Sequence, residues 1–220
     1  MKKKAKKIIG LTGGIASGKK TASKIFKTLG AVVINADEVY EDLTNCRGTT
    51  CGAPTLNLKI AKAFGKCVLN KDGSLNKKVL SEIVFNVGAK GSSPLQKLNK
   101  ITHPEIIKEI KKRIKAAKGN LVILAAPLLI EAKQTGLVDE IWLVTCDKKT
   151  QVSRLIKRNK ISRKEALGRV NSQMSLKEKK KFADVIINNN GTIKELHEQI
   201  LKNLHDGALR ALAPSHPRAM

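Results

Sequence analysis

Five short apolar runs recur along this 220-residue chain, and they constrain its fold more than any other feature. They are Ile8–Thr12 (IIGLT), Ala31–Asn35 (AVVIN), Leu121–Ala126 (LVILAA), Glu140–Cys146 (EIWLVTC) and Asp184–Asn188 (DVIIN). None alternates strictly between apolar and polar, as a strand wetted on one face does. Continuous runs of this length suit a parallel sheet covered on both faces. Helical stretches lie between them, the first from Lys19 to Leu29 and stopped by Gly30. The repeating order predicts a doubly wound α/β fold with a five-stranded parallel sheet.

The length favours one domain, residues 8–204. Its expected core is 8–37, 119–147 and 182–204. Residues 38–118 are too many for one crossover helix; their helical pattern, from about Leu56 to Lys118, predicts a helical insert. Residues 148–181 are basic and helical, which suits a lid. After Leu204 the sequence HDGALRALAPSHPRAM has two prolines and little pattern, so 205–220 are expected to be a disordered tail.

Between the first strand and the first helix lies GLTGGIASGKKT, Gly10–Thr21. The spacing Gly13-x4-Gly18-Lys19, after a strand and opening a helix, predicts a phosphate-binding loop. Glycines allow the tight turn that points successive N–H groups at phosphate oxygens. The helix N-terminus adds a favourable dipole. Gly13, Gly14, Ala16, Ser17, Gly18, Lys19, Lys20 and Thr21 are therefore the candidate nucleotide-binding residues, with Lys19 reaching the terminal phosphates.

Lys20 stands where such loops carry the Ser or Thr that binds Mg²⁺. An ammonium has no lone pair. Thr21 is one helical step, about 100°, further round. Three readings are open: Mg²⁺ held by ATP, water and other side chains; Lys20 standing in part for the metal's charge; or nucleotide binding with weakened catalysis. No residue is assigned to the metal.

Asp37 follows the second strand. Parallel strands deliver their C-terminal ends to the edge that carries the phosphate loop. A carboxylate there accepts a proton from an attacking hydroxyl or helps hold a metal; Asp is equally favoured as a helix N-cap. The third strand ends in Ala125 and Ala126 rather than in an acid, and Glu131, further on, fits either the site or solvent. In the lid, Arg154 and Arg158 share a helix face, with Arg163 and Arg169 beyond them. One or two arginines near a triphosphate stabilise charge during phosphoryl transfer; the lysines read mostly as solvated.

The formal net charge of +25 favours anionic partners without choosing among them. Single-strand nucleic-acid binders usually add aromatic stacking platforms. Here Trp142 and most Phe residues fall in apolar runs expected to be buried, which argues against that class. Cys46, Cys51, Cys67 and Cys146 form no CxxC pair and read as buried or idle thiols in a reducing, cytoplasmic setting. The longest apolar run, Leu121–Ile130, is too short to span a bilayer and is divided by Pro127.

Several motifs together resemble one family, the dephospho-coenzyme A kinases. They are IIGLTGGIASGKKTASKIFKTLGAVVINAD, FG at Phe64-Gly65, DGSLNKKVLSEIVFN at Asp72–Asn86, LNKITHPEI at Leu98–Ile106, PLLIE at Pro127–Glu131, TQVSRLIKRN at Thr150–Asn159 and ADVIINNNG at Ala183–Gly191. They occur in the family's order over about residues 8–195. The resemblance implies a P-loop kinase that moves the ATP γ-phosphate to the ribose 3′-hydroxyl of dephospho-coenzyme A. ATP, Mg²⁺ and dephospho-coenzyme A are its implied ligands. By that analogy Asp37 is the base, Lys19 the phosphate anchor and Arg154 a catalytic lid residue. Asn189 lies near the nucleotide base, and Lys77, His103 and Pro127 line the acceptor site with Asp37. His103 also fits a packed histidine ahead of a helix started by Pro104. The sequence departs from the family pattern at Lys20, at Asn35 and Lys77 in place of Asp and Arg, and at Asn159 and Asn188.

Overall fold

The computed structural model describes residues 6–45, 54–85 and 94–210. Five strands form one sheet: β1 (Lys7–Gly13), β2 (Val32–Asn35), β3 (Leu121–Ala125), β4 (Glu140–Thr145) and β5 (Val185–Asn188), in the order β2-β3-β1-β4-β5. β1 pairs in parallel with β3 (Ile9 opposite Ile123) and with β4 (Leu11 opposite Trp142). β4 pairs in parallel with β5. The helices are α1 (Lys19–Thr28), α2 (Ala36–Asn45), α3 (Pro54–Phe64), α4 (Lys77–Phe85), α5 (Pro94–Ala116), α6 (Lys148–Asn159), α7 (Arg163–Asn171), α8 (Leu176–Lys180) and α9 (Ile193–Arg210).

The chain divides into two compact units, Met1–Val33 with Lys118–Met220, and Ile34–Ala117. The residues of the expected insert, 38–118, fall almost wholly within the second unit. The expected lid, α6 to α8, falls within the same unit as the sheet.

In the first unit the central strands are buried on both faces, as their continuous apolar runs require. Phe26 from α1 meets Trp142 from β4 edge to face, with ring centroids 5.4 Å apart. Ile9, Leu11, Ile123, Val144, Ile187 and Leu196 complete this core. Gly30, in the left-handed region (φ 83°), ends α1. There Ala31 N–H reaches Phe26 O and Gly30 N–H reaches Lys27 O, the paired bonds of a Schellman motif.

The second unit has its own apolar core, built from Leu56, Ile60, Val68, Leu75, Leu80 and Val84. Asn57 is buried and donates to Thr44 O, tying α3 to the end of α2. Arg113 on α5 bonds Asp42 on α2 at 2.9 Å and Glu109 one turn back at 3.0 Å.

Two expectations are corrected. Pro104 does not start a helix: it lies inside α5, which Pro94 opens. An internal proline removes one backbone bond and costs about 3 kcal/mol in an isolated helix; here Ile110 and Thr102 are buried in the insert and anchor the helix. α9 runs on to Arg210, so 205–210 are helical and not part of a disordered tail; residues 211–220 lie outside the described residues. Cys67 is exposed and Cys146 buried, both as free thiols, while Cys46 and Cys51 lie outside the described residues. Phe182 is 49% exposed. Among the described residues no helix is long and apolar enough to cross a membrane.

Candidate active site

The buried end of β1 turns through Gly14–Gly18 into α1. Three residues of the turn have positive φ: Gly13 (153°), Ala16 (56°) and Gly18 (98°). Ala16 is not glycine, and the left-handed conformation costs such a residue about 1–2 kcal/mol. Strain of this kind marks functional turns. Left-handed residues in a turn direct neighbouring N–H groups into one concavity, a nest for anions. Neither flanking glycine has room for a Cβ. At Gly13 it would strike the Val144 carbonyl, and at Gly18 the Asn189 side-chain amide.

Asn189 is the brace of this loop. It is buried, its Nδ2 donates to Ser17 O at 2.8 Å, and its own N–H donates to Thr145 O at 2.7 Å. Its carbonyl accepts from Arg154 Nη2 at 3.0 Å. The resemblance assigned Asn189 to the nucleotide base; its described contacts are with the loop carbonyl of Ser17, with Thr145 of β4 and with Arg154 of α6.

Arg154, on α6, is half-buried, and its Nη1 is buried without a hydrogen-bond partner. Beside it lies Cys146. Burial pushes the Cys146 thiol up, and Arg154 opposes that shift. Arg158, Arg163 and Arg169 are exposed, so Arg154 alone of the four arginines meets the loop's brace.

Lys19 folds back on the loop, its Nζ donating to Gly13 O at 2.7 Å and to Gly14 O at 3.0 Å. The ammonium is thereby kept at the turn. Lys20 is exposed on the first turn of α1, and Thr21 is half-buried with its N–H on Gly18 O. Ser17 is fully buried, and its Oγ has no hydrogen-bond partner.

Pro127, after β3, contributes its carbonyl. It accepts from Thr12 Oγ1 at 3.2 Å and from Lys179 Nζ at 3.3 Å. Lys179 is 1% exposed and pairs with Glu131 at 2.7 Å. Glu131, expected at the site or in solvent, is thus paired with a buried lysine, an exception among lysines read mostly as solvated. A lysine buried this deeply must be paired, which the Glu131 carboxylate provides.

The remaining predicted residues belong to the second unit. Asp37 is exposed at the second position of α2. It does not cap that helix. Asn35 does, its Oδ1 accepting Asp37 N–H at 3.0 Å while its Nδ2 donates to Glu38 at 3.2 Å. Lys77 is exposed at the start of α4, where Asn76 Oδ1 accepts Val79 N–H. His103 is half-buried in mid-α5.

Gln151, Gln173 and Lys179 escaped the sequence reading. Gln173 Oε1 accepts the Ile15 N–H at 2.7 Å, and Gln151 packs on Gly14. Neither glutamine has a spacing of its own. The neighbouring helices open at Ser162-x-x-Glu165 and Ser175-x-x-Glu178, both of which form reciprocal capping boxes. These fix where α7 and α8 begin, and so where Gln173 and Lys179 fall.

Among the described residues no group of three or more His, Cys, Asp or Glu is arranged to hold a metal ion. With Lys20 in place of a hydroxyl, the loop does not fit an Mg²⁺ held by the residue after Lys19.

A family model described as dephospho-CoA kinase matches residues 7–195. The chain is 47% identical over 197 residues to the dephospho-CoA kinase of Carboxydothermus hydrogenoformans, covering 88% of this chain and 91% of that one. Among solved structures it is similar to TT1252 from Thermus thermophilus (TM-score 0.77, 27% identity, 96% of this chain and 100% of that one). It is also similar to the dephospho-CoA kinase from Campylobacter jejuni (TM-score 0.59, 25% identity, 91% and 97%). With a family match over residues 7–195, and a strained, braced phosphate loop at the end of β1, this chain belongs to the dephospho-CoA kinase family.

Proposed function

We propose that the chain transfers the γ-phosphoryl group of ATP to the ribose 3′-hydroxyl of dephospho-CoA, giving CoA and ADP. The observation that carries this reading is the phosphate loop. Ala16 is held in a strained left-handed turn and braced by Asn189, inside a chain that matches the family from residue 7 to 195. Strain is kept in a turn where function uses it, here to aim main-chain amides at phosphate oxygens.

In this reading the loop from Gly13 to Lys19, with the first turn of α1 through Lys20 and Thr21, grips the triphosphate. Lys19 leaves its carbonyl partners to reach the β- and γ-phosphates. Arg154 supplies charge to the transferring group. Asp37 takes the proton from the 3′-hydroxyl as its oxygen bonds to the γ-phosphorus. The bond to the β–γ bridging oxygen breaks, and ADP leaves. Lys77, His103 and Pro127 are assigned to the acceptor by family resemblance.

Kinases of this family use ATP and typically Mg²⁺. Here Lys20 presents a charge where a metal-binding hydroxyl is expected, so metal ligands on the protein are not assigned. That same exposed Lys20 favours a second reading, a nucleotide-binding homologue with impaired transfer.

An ADP-release assay with ATP, Mg²⁺ and dephospho-CoA tests the proposal. ADP release that depends on dephospho-CoA is the expected result. ATP binding by calorimetry without turnover would leave the second reading in place of the first.

A further inference from the structure

Two glutamines from the lid segment meet the phosphate loop at adjacent residues. Gln151, on α6, packs against Gly14 so closely that a Cβ there would collide with Nε2. Gln173, between α7 and α8, accepts the Ile15 N–H at 2.7 Å. Ile15 immediately precedes Ala16, the strained residue of the turn. The turn also has a main-chain bond of its own, Ser17 N–H to Gly14 O at 3.2 Å.

Gln173 is held in place from both sides. Upstream, α7 packs Ala166 against Val152 and Leu155 of α6, in an apolar cluster that takes in Ile15 and Ala16 of the loop. Downstream, the Ser175–Glu178 box opens α8, and Lys179 is buried on Glu131 and Pro127 O. Pro127 O also accepts from Thr12, the residue before the loop's first glycine. The glutamine therefore spans a closed circuit that begins and ends at β1.

The choice of side chain has a physical reason. A neutral amide oxygen accepts an N–H without adding charge. A carboxylate accepts as well but repels a triphosphate in the same turn.

We infer that Gln173 is a positioning residue for the nucleotide, fixing the phosphate loop in its anion-gripping shape through Ile15 N–H. This rests on the reading of the loop as the ATP site. It makes the α7–α8 connection part of the nucleotide-binding machinery, and the effect passes through the loop's shape rather than through contact with substrate.

Gln173→Met keeps the length of the side chain and removes the acceptor. Its expected effect is a three- to tenfold rise in the KM and Kd for ATP, with the KM for dephospho-CoA within twofold of wild type. Gln173→Glu keeps the acceptor and adds charge. It is expected to retain the wild-type melting temperature and to weaken ATP binding in a way that added salt relieves.

ATP bound by folded Gln173→Met as tightly as by wild type would overturn the inference. So would equal changes in both KM values, which would mark a general structural defect. If Gln173→Met does not fold, Gln173→Glu decides: unchanged ATP affinity at low salt overturns the assignment. Wild-type protein that binds ATP but turns over no dephospho-CoA would sink the proposed reaction, and Gln173 would be judged on ATP binding alone. Wild-type protein that binds no ATP would overturn both.

Discussion

Asn189 donates from Nδ2 to the Ser17 carbonyl at 2.8 Å, across 172 positions of sequence. The bond joins the end of β5 to the floor of the phosphate loop, and Arg154 joins the same residue from α6. Asn189→Ala leaves the Ser17 carbonyl buried beside a void. We predict a loss of about 1–3 kcal/mol in unfolding free energy, the range for a buried group deprived of its partner. ATP affinity is predicted to fall with it. Urea denaturation and calorimetry on one preparation measure both; full ATP affinity in the variant would show that the brace does not shape the loop.

Lys20 occupies the metal-binding position with a group that cannot bind metal. Lys20→Ser restores a hydroxyl there. We predict a higher kcat and a steeper dependence of rate on Mg²⁺ concentration. A rate equal to or below that of the parent protein would mean that Lys20 is not what limits transfer.

Lys179 is buried against Glu131 and the Pro127 carbonyl. Lys179→Met strands the carboxylate. Breaking a fully buried pair costs about 3–5 kcal/mol, and the 21% exposure of the Glu131 side chain brings the expected loss toward the lower end or below. The double variant Lys179→Met with Glu131→Gln is predicted to recover part of that loss, because no unpaired charge remains. Denaturation midpoints of the parent, both single variants and the double variant test the coupling; strictly additive losses would contradict it.

Glu165 and Glu178 are each held below the usual carboxylate range, chiefly by the hydroxyl of their capping partner and then by its backbone N–H. A depressed folded-state pKa stabilises the native state above the unfolded-state value and loses that contribution as pH falls through the folded one. Both groups are exposed at the surface, so the effect is confined to α7 and α8. We predict that amide protection factors in these helices, taken relative to the intrinsic exchange rate at each pH, fall as pH drops below the ordinary glutamate range. The pair Glu165→Gln with Glu178→Gln keeps the cap geometry and should remove that acid sensitivity. Identical acid profiles in parent and variant would refute the assignment.

The sheet was legible because a strand buried on both faces needs a continuous apolar run. All five runs became strands within a residue or two of their expected ends. The loop was legible because its spacing follows from backbone geometry. Asn35 shows where this stops. Read as an acidic position that had lost its charge, it proves to be the cap of α2, a role in which Asn and Asp are equivalent. Pro104 deceived for the opposite reason: a local helix-start signal lost to packing along α5. Gln173 and Asn189 reach the loop through tertiary contacts, and no local pattern encodes those.

The strand order β2-β3-β1-β4-β5 puts the first strand made at the centre of the sheet. On the ribosome, β1 leaves the exit tunnel with both of its edges bare, and its first neighbour arrives only at Leu121. The glycine turn receives Gln173 and Asn189 later still. An emerging polypeptide therefore acquires its nucleotide grip only once Asn189 has been made. Premature termination before β3 is made releases β1 as a sticky, unpaired strand rather than a weak enzyme, the kind of fragment that chaperones and proteases must clear.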